Sequence, residues 1–280
     1  MIHYEEVFPK NHIVAKYVSS YTFSIGEINE TDAKYITRAF PTYLTNFYFE
    51  FEGGLSEIKN NNTTTSIEKR TYVNSEIGSW SDIYQLPSVY KTRAVKNFKV
   101  DFYPHSVFEI FGVSPSKFEN YDISVEDIWG DNIGFRLMCE EMENSSEGRK
   151  MVKIFETELV KKIQRINQHN PYIPYFIKPH DDLEGFSKTL GYSPRWIQKQ
   201  HKEIFGYSFK ALQGNMRFYN VIDFMNKLAA SDKTINFSRL AQDFRYYDQA
   251  HLIKDFKKYT GMTPSQYTSK KFKKLVKFHW

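Results

Sequence analysis

Cysteine is almost absent: Cys139 stands alone among 280 residues. One thiol excludes an intrachain disulfide and any zinc site built on cysteines. No apolar run approaches the ~20 residues of a membrane-spanning helix, and the stretch from Met1 to Lys10 lacks the apolar core of a secretion signal. These absences place the chain, as an expectation, in the cytoplasm and away from membranes. Catalytic fingerprints are missing too. There is no Gly-rich phosphate loop, Gly-X-Ser-X-Gly elbow or His-Glu-X-X-His pair. The eight histidines are scattered from His3 to His279, with no close His-X-His pair to begin a metal site. The expectation is a chain with no metal, no cofactor and no enzymatic role.

What is present is an ordinary globular composition, 41% hydrophobic and 25% charged, in a length that suggests two domains. The charge is unevenly placed. Residues 171–280 hold 19 Lys+Arg against 9 Asp+Glu, whereas residues 1–170 hold 19 against 24. A basic C-terminal third on an acidic body is the asymmetry expected when one domain meets a polyanion.

The first 135 residues read mainly as strands. Phe47, Phe49 and Phe51 alternate with polar neighbours, as do Phe98, Val100 and Phe102, and a period of two marks half-buried strands. The run Asn60 to Thr65 reads as a loop tip, and Val107, Phe108 and Phe111 as a short helix. From about Asn132 to Ile166 the period turns helical. Met151, Phe155, Leu159 and Ile163 line one face, open either to packing on the strands or to a dimer seam. Three prolines between Pro171 and Pro179 then interrupt any continuous helix. The expected division is a β-rich domain over 1–166, a linker over 167–179 and an all-helical domain over 180–280.

The helical part repeats itself at an offset of 55 residues. Ser193 pairs with Asp248 as N-cap, Ile197 with Leu252, Lys199 with Lys254, Lys202 with Lys257, and Gly206 with Gly261 as C-terminal stop. Each copy follows a short amphipathic segment: Leu183, Phe186 and Leu190 in one, Ile235, Leu240, Ala241 and Phe244 in the other. A short helix, a tight turn and a second helix make a helix-turn-helix pattern, whose second helix enters the major groove. In the first copy Arg195, Gln198, Lys199 and Lys202 form one polar stripe. Arg and Gln can read guanine and adenine by paired hydrogen bonds, and Lys serves base or phosphate. Any surface helix carries such a stripe, so spacing alone leaves a solvated face as the alternative.

The run Gly191-Tyr192-Ser193-Pro194-Arg195-Trp196-Ile197-Gln198-Lys199 resembles the first-recognition-helix signature of the AraC/XylS family. Asp248-Gln249-Ala250-His251-Leu252, then Phe256-Lys257 and Gly261-Met262-Thr263-Pro264-Ser265-Gln266-Tyr267, resemble its C-terminal signature. The resemblance covers about residues 180–268. It implies an α+β chain: a cupin-like β-barrel with helices that senses a small molecule or dimerises, then two helix-turn-helix units joined by a long helix over Ser208 to Ala230. It implies double-stranded promoter DNA as partner, with a small-molecule effector, RNA polymerase and a second copy as further expected partners. By position the DNA-binding residues are Arg195, Trp196, Gln198, Lys199 and Lys202 in the first unit. In the second they are Gln249, Ala250, His251, Ile253, Lys254 and Lys257. Two residues depart from the pattern. Arg245 replaces the glycine usual in the second turn, and His201 replaces a phenylalanine on an inward face. Trp80, Tyr48, Phe102 and His105 are candidate pocket residues in the first domain. A DNA-bound scaffold, or a cupin-type enzyme fused to a DNA-binding module, are the competing classes.

Overall fold

Strict alternation decides how the N-terminal half is layered. The computed structural model describes residues 2–27, 36–39, 42–52, 56–60, 63–67, 71–74, 81–85, 94–118, 123–130, 132–166, 170, 173, 183–229, 235–269 and 277–279. Among the described residues ten strands form two five-stranded sheets. The first sheet orders β1 (Ile2–Val7), β2 (Val18–Glu27), β9 (Ala94–Phe102), β4 (Thr45–Glu52) and β7 (Thr71–Asn74). The second orders β10 (Lys277–His279), β3 (Ile36–Ala39), β8 (Ser81–Gln85), β5 (Ser56–Asn60) and β6 (Thr63–Ile67). β5 and β6 pair antiparallel from Asn60 opposite Thr63, so the Asn/Thr run is a hairpin tip.

The two faces of the first sheet differ in chemistry. In register, Tyr21, Val100 and Phe47 lie across three strands, and so do Phe23, Phe98 and Phe49. This apolar face is covered by α4 (Gly148–Gln164), whose Phe155 ring sits 5.6 Å from Phe98, 5.8 Å from Phe49 and 5.6 Å from Trp129. The opposite face carries Ser20, Thr22, Asn46 and Asp101, all buried, with half-buried Tyr48, Glu50 and Lys99. Asp101 accepts hydrogen bonds from Ser20 Oγ at 3.0 Å and from Asn46, and pairs with Lys99 Nζ at 3.0 Å. Buried polar groups of this kind are stable only when they are paired.

Short helices complete this half: α1 (Ser106–Phe111), α2 (Val125–Trp129) and α3 (Asn132–Glu143) precede α4. The helical stretch read as running from Asn132 to Ile166 is therefore two helices. Ser145 Oγ donates to the Glu147 carbonyl and accepts from the Glu147 amide, forming a local turn that competes with the helix. Met151, Phe155, Leu159 and Ile163 are all buried in the core of this half, so their face is no dimer seam. Of the pocket candidates, Phe102 is core, Tyr48 stacks on Tyr72 at 4.7 Å and His105 is buried between Tyr17 and Tyr103. Trp80 lies outside the described residues, as does the expected linker over 167–179 apart from Asn170 and Ile173.

The C-terminal half is helical: α5 (Leu183–Leu190), α6 (Pro194–Phe205), α7 (Phe209–Ala229), α8 (Phe237–Asp243), α9 (Gln249–Thr260) and α10 (Pro264–Thr268). Phe186, Ile197, Ile204, Phe205, Phe209 and Leu212 make one core with Ile173. Phe218, Val221, Ile222, Met225, Leu240, Leu252, Phe256 and Tyr259 make a second. Helix α7 serves both, its first turns the former and its later turns the latter. No described helix is long and apolar enough to cross a membrane.

Gly148, the first residue of α4, shows how tightly the helix lies on the sheet. A Cβ at this position would fall inside the Phe23 ring. Gly148→Ala should therefore cost about 1–3 kcal/mol through forced overpacking. A urea titration followed by circular dichroism measures it. An unchanged midpoint would mean that Phe23 has room to move aside.

Candidate nucleic-acid interface

The first unit is built around a left-handed turn. Helix α5 ends at Gly191, whose φ is 71° and whose amide donates to the Ser187 carbonyl at 2.9 Å. Two residues on, the Ser193 side chain accepts the Trp196 amide at 3.3 Å and Pro194 occupies the first turn of α6. Ile197, His201, Ile204 and Phe205 face inward and are buried. Arg195, Gln198, Lys199 and Lys202 are exposed along the opposite side. Trp196 is half-buried and stacks on Tyr192 with ring centroids 4.0 Å apart, a contact that the spacing did not signal.

His201 does the work of a core aromatic with one polar atom. Its ring lies 4.6 Å from Phe205 and 5.4 Å from Phe209, and Nδ1 donates to the Tyr207 carbonyl at 2.8 Å in the neutral tautomer this contact requires. Burial pushes its pKa down to about 4. The folded value thus lies below the unfolded value of about 6.5. The unfolded chain binds the proton first, so the contribution is intact above pH 6.5 and is lost as pH falls toward 4. The loss is on the order of 3 kcal/mol. His105, also held down to about 4 by burial, acts in the same window. His201→Phe should keep the fold and flatten the fall in stability between pH 6.5 and 4 relative to wild type. Thermal melts at intervals of pH test this, and parallel curves for both proteins would refute it.

The second unit repeats the design with one substitution. Asn236 caps α8 by accepting the Arg239 amide at 3.0 Å. The Tyr246 amide donates to the Ala241 carbonyl at 2.8 Å and the Arg245 amide to the Gln242 carbonyl at 3.1 Å, the paired bonds of a Schellman stop. That motif requires a left-handed residue, and here Arg245 supplies it at φ 58°, the only non-glycine with positive φ among the described residues. The glycine-less turn thus keeps its geometry at a cost of about 1–2 kcal/mol in strain. Arg245→Gly should raise the melting temperature, with a net gain near 1 kcal/mol once the added freedom of the unfolded chain is subtracted. A lower melting temperature would show that contacts of the Arg245 side chain outweigh the strain.

Asp248 caps α9 by accepting the His251 amide at 2.7 Å. Gln249, Ala250, Lys254 and Lys257 are exposed, and Ile253 is half-buried. Gln249 also accepts from Ser238 Oγ at 2.6 Å, which ties α9 to α8. His251 is half-buried. Its ring meets Tyr246 at 5.2 Å, and Nδ1 and Nε2 lie 3.4 and 3.8 Å from the Tyr247 amide and Asp255. Of the residues assigned to DNA by position, nine therefore point at least partly outward, while Trp196 and His251 are engaged in packing the turns. The basic tail beyond Ser269 lies outside the described residues apart from the backbone of β10.

The first unit also rests on the N-terminal half. Gly206, at φ 82°, ends α6 against the 3-10 turn Pro115–Lys117, where an added Cβ would be 2.9 Å from the Pro115 carbonyl carbon. The rings of Tyr43 and Tyr219 meet edge to face at 5.2 Å. Gly206 is thus both a helix stop and a point of close approach between the two halves.

Residues 186–270 match the family described as "Helix-turn-helix domain". This part of the chain is an AraC-type helix-turn-helix domain. It spans both units and the long helix between them. No curated protein sequence matches the chain. Among solved structures, ToxT from Vibrio cholerae aligns at a TM-score of 0.42 and 12% identity, covering 96% of this chain and 97% of that one. ToxT bound to (E)-4-(8-methylnaphthalen-1-yl)but-3-enoic acid aligns at 0.42 and 12%, with 96% and 97% covered. Wild-type ToxT bound to an unsaturated fatty acid gives 0.42 and 11%, with 96% and 94% covered. A likeness this remote carries no functional reading of the N-terminal half, whereas the AraC-type domain rests on its own match.

Proposed function

We propose that the chain is a sequence-specific DNA-binding regulator of transcription, and not an enzyme, in which the N-terminal half biases DNA binding through a small molecule or partner. The observation that carries this reading is the AraC-type domain, with Arg195, Gln198, Lys199 and Lys202 in one exposed stripe on α6. In this reading residues 1–166 are the sensing domain and 180–280 the DNA-binding domain, joined over 167–179, in a cytoplasmic protein. RNA polymerase and a second copy of the chain are the partners a regulator of this kind would meet next. In this reading the polar face of the first sheet, centred on Asp101, is where a small molecule would find hydrogen-bonding groups.

The two units should contribute unequally. Helix α6 offers Arg195 and Gln198 for two-point contacts with bases, worth about 1–3 kcal/mol of discrimination each. Helix α9 offers Ala250, Ile253 and Lys254, of which the apolar pair can favour only a thymine methyl. Arg195→Ala should therefore weaken binding to selected DNA far more than to scrambled DNA. Lys257→Ala should weaken both about equally and lower the salt slope by roughly one phosphate contact. Binding isotherms of the full chain over a salt series, on DNA selected from a random library and on its scramble, decide between them. An unchanged specificity ratio for Arg195→Ala would mean that α6 is not the main reader.

A further inference from the structure

Between α7 and α9 runs an open cleft of about 310 Å³, lined by Ser208, Lys210, Gly214, Arg217, Lys258 and Tyr259, with His251 and Asp255 at one end. Its lysines and its arginine are not among the residues assigned to DNA by position. Its charges are three cations and one carboxylate. Arg217 pairs with Asp255, with Nη2 3.4 Å from Oδ2 and the guanidinium 4.6 Å over the Tyr246 ring, while its buried Nε has no hydrogen-bond partner among the described residues. That leaves two ammonium groups from different elements: Lys210 in the first turn of α7 and Lys258 near the end of α9. Among the described residues neither is paired with a carboxylate. Lys258 Nζ instead lies over the Tyr259 ring at 4.5 Å, with the hydroxyl at 3.3 Å.

Lys210 and Lys258 are both exposed and both line the cleft. Gly214 shows that the helices approach closely there, since a Cβ on it would be 3.1 Å from the Tyr259 hydroxyl. An anion seated in the cleft would be attracted by both ammonium groups.

We propose that this cleft is a phosphate clamp for the DNA backbone that passes between the two reading helices. The proposal rests on the DNA-binding reading above and adds a contact surface to it. Three features favour a polymer backbone over a small anion. The cleft is open to solvent, whereas small-molecule sites enclose most of their ligand. It joins the units, with Ser208 and Lys210 following the end of α6 and Lys258 coming from α9 itself. It also borders the second stripe, since Ala250, Lys254 and Lys258 follow one another at intervals of four along one side of α9. A duplex with one helix in each of two successive major grooves must carry a strand of backbone across the space between them. Contacts there hold register and carry no sequence information.

The test is a salt series with the full chain carrying Lys210→Gln and Lys258→Gln together, both exposed positions whose replacement leaves the cores untouched. The slope of log affinity against log salt should shrink by about 1.8, two phosphates at about 0.9 each, and equally on selected and scrambled DNA. Circular dichroism and melting confirm the fold. In parallel, inorganic phosphate is titrated at constant ionic strength and read by melting temperature. If wild type binds DNA and the double variant keeps its slope, the clamp is refuted while the DNA-binding reading stands. Stabilisation by phosphate that is lost in the variant, with the slope kept, would reassign the cleft to a small anion and also overturn the clamp. Wild type that binds no DNA would remove the reading on which the clamp depends.

Discussion

Where Gly206 ends α6, two backbones meet with no atom between them: a glycine in the left-handed region lies against the turn at Pro115. Much else hangs on that contact. It fixes where the first reading helix stops relative to the sheet-bearing half. It also brings Phe108 of α1 and Tyr43 against the core made by Phe186, Ile197 and Ile204. The first unit is thereby packed on two sides, by its own neighbours and by the N-terminal half. Among the described residues the second unit's core is drawn from the stretch between α7 and α10, and the chain beyond it returns to the N-terminal half, where β10 pairs with β3. A change of shape in the N-terminal half would therefore reach α6 directly.

The parts of the fold that were legible in the sequence are those governed by local rules. Alternation at Phe47 and Phe98 placed the strands. The caps Ser193 and Asp248 started the reading helices where their side chains now accept backbone amides. Gly191 and Gly261 stopped helices at φ 71° and 73°. His201 read as an inward residue because its spacing matched Ile197 and Ile204, and its hydrogen bond to Tyr207 bears that out. What could not be read depends on contacts distant in sequence. The break between α3 and α4 is a local miss: the polar run from Glu143 to Lys150 interrupts the apolar period, and Ser145 closes a turn there with its hydroxyl. The burial of the α4 face against the sheet, the meeting of Gly206 with Pro115 and the convergence of Lys210 with Lys258 join segments that no periodicity relates. Trp196 and His251 were identified by position in a motif, and the structure adds that both also hold the turns together.

The second turn shows a local rule broken with its geometry kept. A left-handed arginine is strained where glycine would not be, yet both Schellman bonds form around it. The surrounding packing over-determines that conformation: Tyr246, the next residue, is buried beside Arg217 and the His251 ring. Arg217 thus links the long helix, the turn and Asp255 of the reading helix in one set of contacts.

The divided chemistry of the first sheet has a consequence for folding. Because successive side chains alternate, sliding β9 by one residue against its neighbours would turn Phe98, Val100 and Phe102 toward the polar side. The same slip would drive Lys99 and Asp101 into the aromatic core under Phe155. Each error alone would be costly, and the slip commits both at once. A sheet that is apolar on one face and merely solvated on the other guards its pairing from one side only. Here both faces reject the wrong alignment, so the polar surface also proofreads the register that creates it.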